Sequence, residues 1–245
     1  ECMSFDVLVA SLLSGAATHG VMALENTIAG SIIPNYALID TNNLHIVGEE
    51  YLNIHHHLMA LPGQQIAHIK EVWSHPMALL QCKEFFKKHP HIKLVEDVDT
   101  AEVAKRIAKE NLVGIAAIAP KIAAEIFDLE VLEDEIQTMK DNATRFVIVQ
   151  TQEPTHKIDH INKASLKFQL NHKRGSLAAI LNVLSDCKMN LTKIQSLPVI
   201  EMPWKYSFFV DVTFEDYKDY LKVVKIIEIM AEEFKILGTY KNGRK

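Results

Sequence analysis

The stretch Asn142-Ala143-Thr144-Arg145-Phe146-Val147-Ile148-Val149-Gln150, written NATRFVIVQ, joins a polar cluster to an apolar run. The run from Phe146 to Val149 is rich in aromatic and β-branched residues, which predicts a buried strand. A turn before a strand commonly needs Asn or Thr, but it does not need an arginine as well. The hydroxyl of Thr144 and the fixed charge of Arg145 therefore mark this strand entrance as a candidate site.

The composition indicates a globular chain with a substantial hydrophobic core. Apolar residues make up 48 % of the 245 residues, enough to bury the cores of one large domain or two ordinary ones. The net charge of −5 argues against a general nucleic-acid binder. No apolar run approaches the roughly 20 residues of a membrane span, and no signal peptide is visible. Three widely spaced cysteines suit reduced thiols, so we expect a cytoplasmic protein with no membrane or nucleic-acid partner.

Outward from this stretch, short apolar runs alternate with amphipathic segments between residues 20 and 150. The predicted strands are 20–26, 44–52, 92–98, 113–119 and 145–150. The predicted helices are Pro76 to Lys88, Ala101 to Asn111 and Lys121 to Phe127. This alternation predicts an α/β fold with a mostly parallel sheet covered by helices.

The pattern changes after the polar segment 151–163, which contains Pro154 and is typical of a linker. Leu166, Phe168 and Leu170 then alternate as one face of a strand. The remaining elements follow in the order helix, strand, strand, helix and strand. The order βαββαβ predicts a separate ferredoxin-like module.

Several polar residues lie where an α/β sheet binds ligands. Glu25, Asn26 and Thr27 follow a strand, and strand ends border the ligand crevice of open α/β sheets. Ser74 precedes a predicted helix, whose N-terminus attracts anions. Gln81 lies two turns further along the same helix face. Each residue also has an ordinary interpretation as part of a turn or a helix cap.

The sequence does not predict a metal or a cofactor. His55 and His57 would share one face of a strand, while His56 would point to the other. No carboxylate or thiol at ligand spacing completes a zinc site with them. The chain also lacks a glycine-rich phosphate loop and a nucleotide fingerprint.

These motifs together resemble the prephenate dehydratase family. NATRF resembles its Thr-Arg-Phe signature, ALENTIAGSI its Glu-Asn-Ser/Thr motif, and WSHPMALLQC its Ser-His-Pro helix. Further along, HKRGSLAAIL and NLTKIQSLP resemble the Gly-Ala-Leu and Glu-Ser-Arg-Pro motifs of the family's ACT regulatory domain. The resemblance implies a two-lobed, periplasmic-binding-protein-like catalytic domain followed by a ferredoxin-like ACT domain.

The resemblance also implies domain boundaries. The catalytic domain would cover residues 1–152, with one lobe at about 1–53 plus 144–152 and the other at 54–136. A linker at 153–163 and an ACT domain at 164–245 would follow. The family's usual glycine-rich N-terminal segment would precede the first residue of this sequence.

The implied reaction is the conversion of prephenate to phenylpyruvate, carbon dioxide and water in L-phenylalanine biosynthesis, without a cofactor. Thr144 is the implied catalytic residue, which donates a hydrogen bond to the departing hydroxide. The implied substrate-binding residues are Glu25, Asn26, Thr27, Ser74, Gln81, Arg145 and Phe146.

The ACT resemblance implies feedback regulation by L-phenylalanine in a homodimer or homotetramer. The implied effector-binding residues are Gly175, Ser176, Leu177, Asn190, Leu191, Gln195 and Ser196. Gln195 and Leu197 replace a charged pair of the family motif, and Arg174 replaces a proline. We therefore expect L-phenylalanine to be held mainly by backbone groups.

Two other functions remain open from the sequence. Arogenate dehydratases share these motifs and act on a substrate with an amino group in its side chain. A non-catalytic amino-acid-binding regulator would have a similar pair of domains. A pure sensor has no need for the hydroxyl of Thr144, which favours an enzyme.

Overall fold

The computed structural model describes residues 2–154, 160–199, 202 and 204–244. The chain divides into two compact units. The first contains Glu1–Asn26, Gly30–Leu52 and Thr144–Lys245, and the second contains Thr27–Ala29 and Asn53–Ala143. Residues 144–245 therefore belong to the same compact unit as residues 1–26 and 30–52, which we call the N-terminal segment. No helix in the described part of the chain is long and apolar enough to cross a membrane.

Helices and strands alternate along the first 150 residues. In chain order they are α1 (Phe5–Leu13), β1 (Gly20–Asn26), β2 (Gly30–Ser31), α2 (Ile33–Thr41), β3 (His45–Asn53), β4 (His57–Ala60), β5 (Glu71–Ser74), α3 (Pro76–Gln81), α4 (Lys83–Phe86), β6 (Lys93–Glu96), α5 (Thr100–Glu110), β7 (Ile115–Ala119), α6 (Lys121–Phe127), β8 (Glu130–Glu133) and β9 (Ala143–Gln150). All five predicted strands are present. Helices α1 and α2 were not predicted; the apolar residues of α2 are spread around the helix and give little periodic signal.

The first unit contains a four-stranded sheet with the order β2-β1-β9-β3. Strands β1 and β9 are antiparallel, and Asn26 pairs with Thr144 at their ends. Val147 and Val149 on β9 are fully buried in one core together with Met22 and Leu24 of β1. The apolar run from Phe146 to Val149 thus forms a strand that lies between β1 and β3 in the sheet.

The second unit contains a five-stranded sheet with the order β6-β5-β7-β4-β8. Strand β5 is parallel to β6 and β7, whereas β4 is antiparallel to β7 and β8. The sheet is mixed, so the expectation of a mostly parallel sheet is wrong. Alternation of strands and helices predicts crossovers, but it does not specify which strands become neighbours.

The helix predicted from Pro76 to Lys88 is interrupted at Cys82. Helix α3 ends at Gln81 and α4 begins at Lys83, while Cys82 itself has φ −100° and ψ 6°. The thiol of Cys82 is fully buried, and this burial raises its pKa to about 12. The interruption places Gln81 at the C-terminal end of a short helix.

The C-terminal module has the predicted ferredoxin-like order. Its elements are β10 (Lys163–Gln169), α7 (Ser176–Asp186), β11 (Asn190–Pro198), β12 (Tyr206–Thr213), α8 (Tyr217–Met230) and β13 (Glu233–Tyr240). They form an antiparallel sheet with the order β11-β12-β10-β13. Leu166 and Phe168 pack against α7 and α8 through a core that includes Ile180 and Val223. The predicted linker at 153–163 lies partly outside the described residues, and Lys163 already belongs to β10.

The face of the module's sheet that α7 and α8 do not cover packs against residues of the N-terminal segment. All seven residues of β10 are buried, including the polar side chains that alternate with Leu166 and Phe168. Phe209 of β12 meets the ring of Tyr36 at a centroid distance of 5.4 Å. A Cβ on Gly238 would lie 1.9 Å from the carbonyl oxygen of Ile46, so only glycine permits this approach.

Candidate active site

Thr144 lies at the beginning of β9, opposite Asn26 at the end of β1. The side-chain amide of Asn26 donates a hydrogen bond of 3.1 Å to Thr144 Oγ1. Among the described residues, no acceptor takes the hydroxyl hydrogen of Thr144. Because Thr144 is half-buried and already accepts a hydrogen bond, its own hydrogen is available to a bound molecule.

Phe146 and Arg145 lie on opposite faces of β9. Phe146 is half-buried and shares the face of Thr144, because side chains alternate along a strand. Arg145 points to the other face, where it is only 3 % exposed. Thr144 and Phe146 thus lie on the half-buried face of β9, and Arg145 lies on its buried face.

Each of the three nitrogens of the Arg145 guanidinium donates to a protein group. Its Nε donates to Glu49 at 2.7 Å, one terminal nitrogen donates to Asp211, and the other donates to the Tyr240 hydroxyl at 2.8 Å. Burial opposes the charge, but the carboxylates of Asp211 and Glu49 keep the pKa of Arg145 well above its ordinary value. The structure corrects the sequence expectation, because this arginine is not placed to bind a substrate carboxylate.

Four charged side chains form a buried group that we call the Arg145 cluster: Arg145, Lys163, Glu49 and Asp211. Lys163 Nζ donates to both carboxylate oxygens of Glu49 at 2.8 Å. Burial and the nearby charge of Arg145 lower the pKa of Lys163. Two cations face two anions, so the group carries no net formal charge. This balance is what makes such burial tolerable.

Glu25 is also paired with the C-terminal module. Lys193 of β11 donates to a carboxylate oxygen of Glu25, next to Asn26 on β1. The Lys193 side chain is 15 % exposed and that of Glu25 is 31 % exposed. Glu25 is therefore held by a lysine of the strand that was expected to bind the effector.

In the second unit, the Gln81 side chain receives two hydrogen bonds. Its Oε1 accepts from His56 Nε2 at 2.8 Å and from the Asn142 amide at 3.0 Å. Gln81 is half-buried, and its amide nitrogen has no protein acceptor among the described residues. The amide nitrogen of Gln81 is not fully buried, so it is accessible to solvent.

Ser74 does not cap the following helix as expected. It is the last residue of β5, fully buried, and its hydroxyl donates to the Ile118 carbonyl at 2.7 Å. The N-cap of α3 is His75, whose Nδ1 accepts from the backbone N–H of Met77 at 3.2 Å. The hydroxyl of Ser74 binds the neighbouring strand instead of an anion at the helix end.

Thr27 joins the two segments of the second unit. Its Oγ1 accepts from the backbone N–H of Ala143 at 3.0 Å and lies 3.4 Å from the Asp141 carbonyl. The backbone N–H of Thr27 in turn donates to the Ala143 carbonyl at 2.9 Å. These contacts give Thr27 a structural role beside the start of β9.

The three consecutive histidines have three different partners. His57 begins β4 and contacts Asp134 at 2.9 Å, whereas His55 precedes the strand and lies 3.3 Å from Glu135. The expected shared strand face of His55 and His57 is therefore not formed. In the described part of the chain, no group of three or more His, Cys, Asp or Glu residues is arranged to hold a metal.

The expected effector residues divide between the two ends of the module's sheet. Gly175, with φ +86°, caps α7 at one end. A cavity of about 130 Å³ lies there and is lined by Leu170, Asn171, His172, Lys173, Ser176, Leu177, Trp204, Tyr206 and Phe208. Gln195 and Ser196 pair with Phe209 and Phe208 towards the same end of the sheet.

Asn190 and Leu191 lie at the other end of β11, opposite Thr213 and Val212. They are separated from the cavity by most of the length of the strand. A single described module therefore does not bring all seven expected residues together.

The fold and the paired strand ends define a periplasmic-binding-protein-like α/β domain followed by a ferredoxin-like module. The family model described as prephenate dehydratase matches residues 1–154. The chain belongs to the prephenate dehydratase family.

Curated relatives carry two related descriptions. The chain is 30 % identical over 241 residues to the bifunctional chorismate mutase/prephenate dehydratase of Buchnera aphidicola, covering 98 % of this chain and 63 % of that protein. It is 36 % identical over 232 residues to the chloroplastic arogenate dehydratase/prephenate dehydratase 2 of Arabidopsis thaliana, covering 95 % and 59 %. The chain thus spans about three fifths of the length of these relatives.

Solved structures share nearly the whole fold. GqqA, described as a novel type of quorum quenching acylase, has a TM-score of 0.87 and 26 % identity over 98 % of this chain and 88 % of its own. The prephenate dehydratase of Arthrobacter aurescens in complex with L-Phe has a TM-score of 0.85 and 24 % identity over 99 % and 81 %. The similarity includes the C-terminal module.

Proposed function

We propose that this chain catalyses the decarboxylative dehydration of prephenate to phenylpyruvate, carbon dioxide and water. Loss of the ring carboxylate as carbon dioxide supplies an electron pair, and the ring hydroxyl leaves with a proton as water. Hydroxide is a poor leaving group, so a hydrogen-bond donor must meet it in the transition state. The aromatic ring of the product drives both bond cleavages.

The hydrogen bond from Asn26 to Thr144 is the observation that carries this proposal. It fixes the Thr144 oxygen as an acceptor and leaves its hydrogen for a ligand. A threonine hydroxyl is a weak acid, so its role is orientation and electrostatic stabilisation of the leaving group more than complete proton transfer. Phe146 on the same face offers apolar surface to a ring.

The structural contacts refine the set of substrate-binding residues. We retain Gln81 and Phe146 as candidates for contact with the substrate, and we assign Asn26 to holding the Thr144 hydroxyl, because its amide donates to Thr144 Oγ1. Glu25, Thr27, Ser74 and Arg145 are occupied by protein partners, and we assign them roles in holding the strand ends in place. A neutral donor such as the Gln81 amide suits a reaction whose ring carboxylate must be lost rather than stabilised.

Turnover assays with prephenate and with arogenate test the proposal. The plant relative's description names both activities, so the two substrates belong in one experiment. We expect phenylpyruvate, measured by its absorbance in alkali, from prephenate, and faster turnover of prephenate than of arogenate. Turnover of arogenate but not of prephenate would indicate an arogenate dehydratase. No turnover of either by a folded chain would favour a non-catalytic binding protein and overturn the proposal.

We also propose that the chain is a cytoplasmic homo-oligomer regulated by L-phenylalanine, as the L-Phe complex of the Arthrobacter relative suggests. Strand β11 is at the edge of the module's sheet. If two copies pair these edges antiparallel, Asn190 of one copy approaches the Gly175 end of the other. A dimer would then unite the seven effector residues that one module separates, and a tetramer would contain two such dimers.

A further inference from the structure

His56 is a buried histidine with one occupied and one unoccupied ring nitrogen. It is 5 % exposed, and its Nε2 lies 2.8 Å from Gln81 Oε1. Its Nδ1 is buried and has no hydrogen-bond partner among the described residues. Its backbone N–H donates to the Gln137 side chain at 2.9 Å, which fixes the position of the residue.

The donors around Gln81 determine which way its amide faces. The Asn142 amide and His56 Nε2 both approach the same atom of Gln81. Two donors require an acceptor, so that atom is the carbonyl oxygen and the amide nitrogen faces away. If Gln81 were reversed, its NH₂ group would meet the NH₂ group of Asn142.

The hydrogen bond to Gln81 also determines the tautomer of His56. Its Nε2 must carry a hydrogen in order to donate to Gln81 Oε1. Burial lowers the pKa of His56, and the neighbouring histidines His57 and His55 lower it further, although the bond to Gln81 opposes this. The ring is therefore neutral near neutral pH, and its Nδ1 bears only a lone pair.

We propose that His56 is a positioning residue for substrate binding, which holds the Gln81 amide so that its N–H groups face solvent and can donate to an oxygen of the substrate. This inference rests on the proposed function. His56 itself does not touch the substrate; it acts by preventing rotation of the Gln81 amide. Because an amide reversed in this way would present an acceptor to an anionic substrate, the effect should fall on binding.

Two substitutions at His56 separate positioning from packing. His56→Leu removes the donor, and we expect KM for prephenate to rise about threefold to tenfold, the value of one net hydrogen bond. We expect kcat to change much less. His56→Gln places an amide nitrogen near the position of Nε2 and should restore most of the wild-type KM. Equal KM values for the Leu and Gln variants, both folded, would overturn the proposal.

A double-mutant cycle tests whether His56 acts through Gln81. In a Gln81→Ala background, His56→Leu should raise KM no further, because the amide that it orients is already absent. Additive effects would overturn the proposal. His55→Leu is the matched control, since His55 is a neighbouring histidine that contacts Gln137 and Glu135 rather than Gln81. Its KM should equal that of the wild type.

A measurement without substrate makes failure of this inference distinguishable from failure of the proposed function. Nitrogen-15 NMR of labelled histidines reports the tautomer of His56 in the wild-type chain. We expect the neutral Nε2–H form near neutral pH. An Nδ1–H form would overturn the inference whatever the enzyme does. If only the proposed dehydratase activity is wrong, the wild-type chain will show no turnover but His56 will still have the Nε2–H tautomer. The affinity of the Leu and Gln variants for a carboxylate analogue would then be measured instead of KM.

Discussion

Thr144 and Arg145 are adjacent in the sequence, but the alternation of β9 gives them separate tasks. Thr144 faces a half-buried surface and keeps its hydroxyl hydrogen available. Arg145 is buried on the opposite face of β9, where its ion pairs with Glu49 and Asp211 hold the strand in place. One residue is suited to chemistry and the next to rigidity, so substitutions at the two positions should change different measured quantities.

Substitution of Thr144 should affect turnover. Thr144→Ala is expected to lower kcat by about 10²–10⁴-fold, the usual contribution of a positioned proton donor. Thr144→Ser keeps the hydroxyl and should retain more activity than Ala. Steady-state kinetics of the purified variants measures both. If the Ala variant turned over within about threefold of the wild type, the assigned role would be wrong.

Substitution of Arg145 should affect stability. Arg145→Leu leaves Glu49 and Asp211 buried with only Lys163 as a cation. Breaking a buried ion pair costs about 3–5 kcal/mol of unfolding free energy, which chemical denaturation measures. Lys105→Leu is the control, because the Lys105–Glu102 pair is exposed and should contribute little. Similar losses in both variants would contradict the structural role of the Arg145 cluster.

His56 should make the fold sensitive to acid. Its folded pKa lies below the ordinary value of 6.5, so below that pH the unfolded chain binds a proton that the folded chain does not. Stability is therefore lost as the pH falls from neutral through this range. The melting temperature of His56→Gln should fall less over the same range, because the common carboxylates titrate in both proteins. Parallel curves for wild type and variant would refute the prediction.

At the scale of elements, strand β13 of the C-terminal module passes close to β3 at Gly238. Gly238→Ala would force a Cβ to within 1.9 Å of the Ile46 carbonyl oxygen, and backbone must move to relieve this. We expect a loss of about 1–3 kcal/mol or more in unfolding free energy. Gly48→Ala on β3 is the control, because its Cβ would meet Ile148 Cδ1 at an ordinary 3.4 Å. Denaturation of the two variants should differ clearly.

The elements that could be predicted from the sequence are those whose signal is local. The apolar run from Phe146 to Val149 predicts β9. The change from strand-like to helix-like apolar spacing along the C-terminal module predicts its ferredoxin-like order. The pairing of β4 with β7 and β8 could not be predicted, because it depends on partners far along the chain.

The site was predictable to a similar extent. The resemblance singled out Thr144 and Gln81, and the structure supplied their partners Asn26 and His56. The buried position of Arg145 could not be predicted, since Asp211 and Tyr240 lie 66 and 95 residues away. No local pattern connects such residues.

At the scale of the whole molecule, the Lys193–Glu25 pair connects an edge strand of the module with the strand that carries Asn26. L-phenylalanine binding near β11 should therefore alter prephenate affinity, with a typical coupling free energy of about 1–3 kcal/mol. Calorimetry of L-phenylalanine with and without a substrate analogue measures it. Lys193→Met should reduce the coupling while leaving L-phenylalanine binding in place. No detectable heat at millimolar L-phenylalanine would contradict regulation by this amino acid.

The Arg145 cluster also sets an order of events during protein synthesis. The second unit is formed almost entirely by one continuous segment, Asn53–Ala143, so it can fold as soon as that segment has left the ribosome. The contacts of Arg145 in the first unit form later, because Asp211 and Tyr240 are made 66 and 95 residues after Arg145. During that interval Arg145 lacks Asp211 and the sheet of the first unit is not yet covered by β10 and β12, so we expect chaperones to bind this unit of the nascent chain.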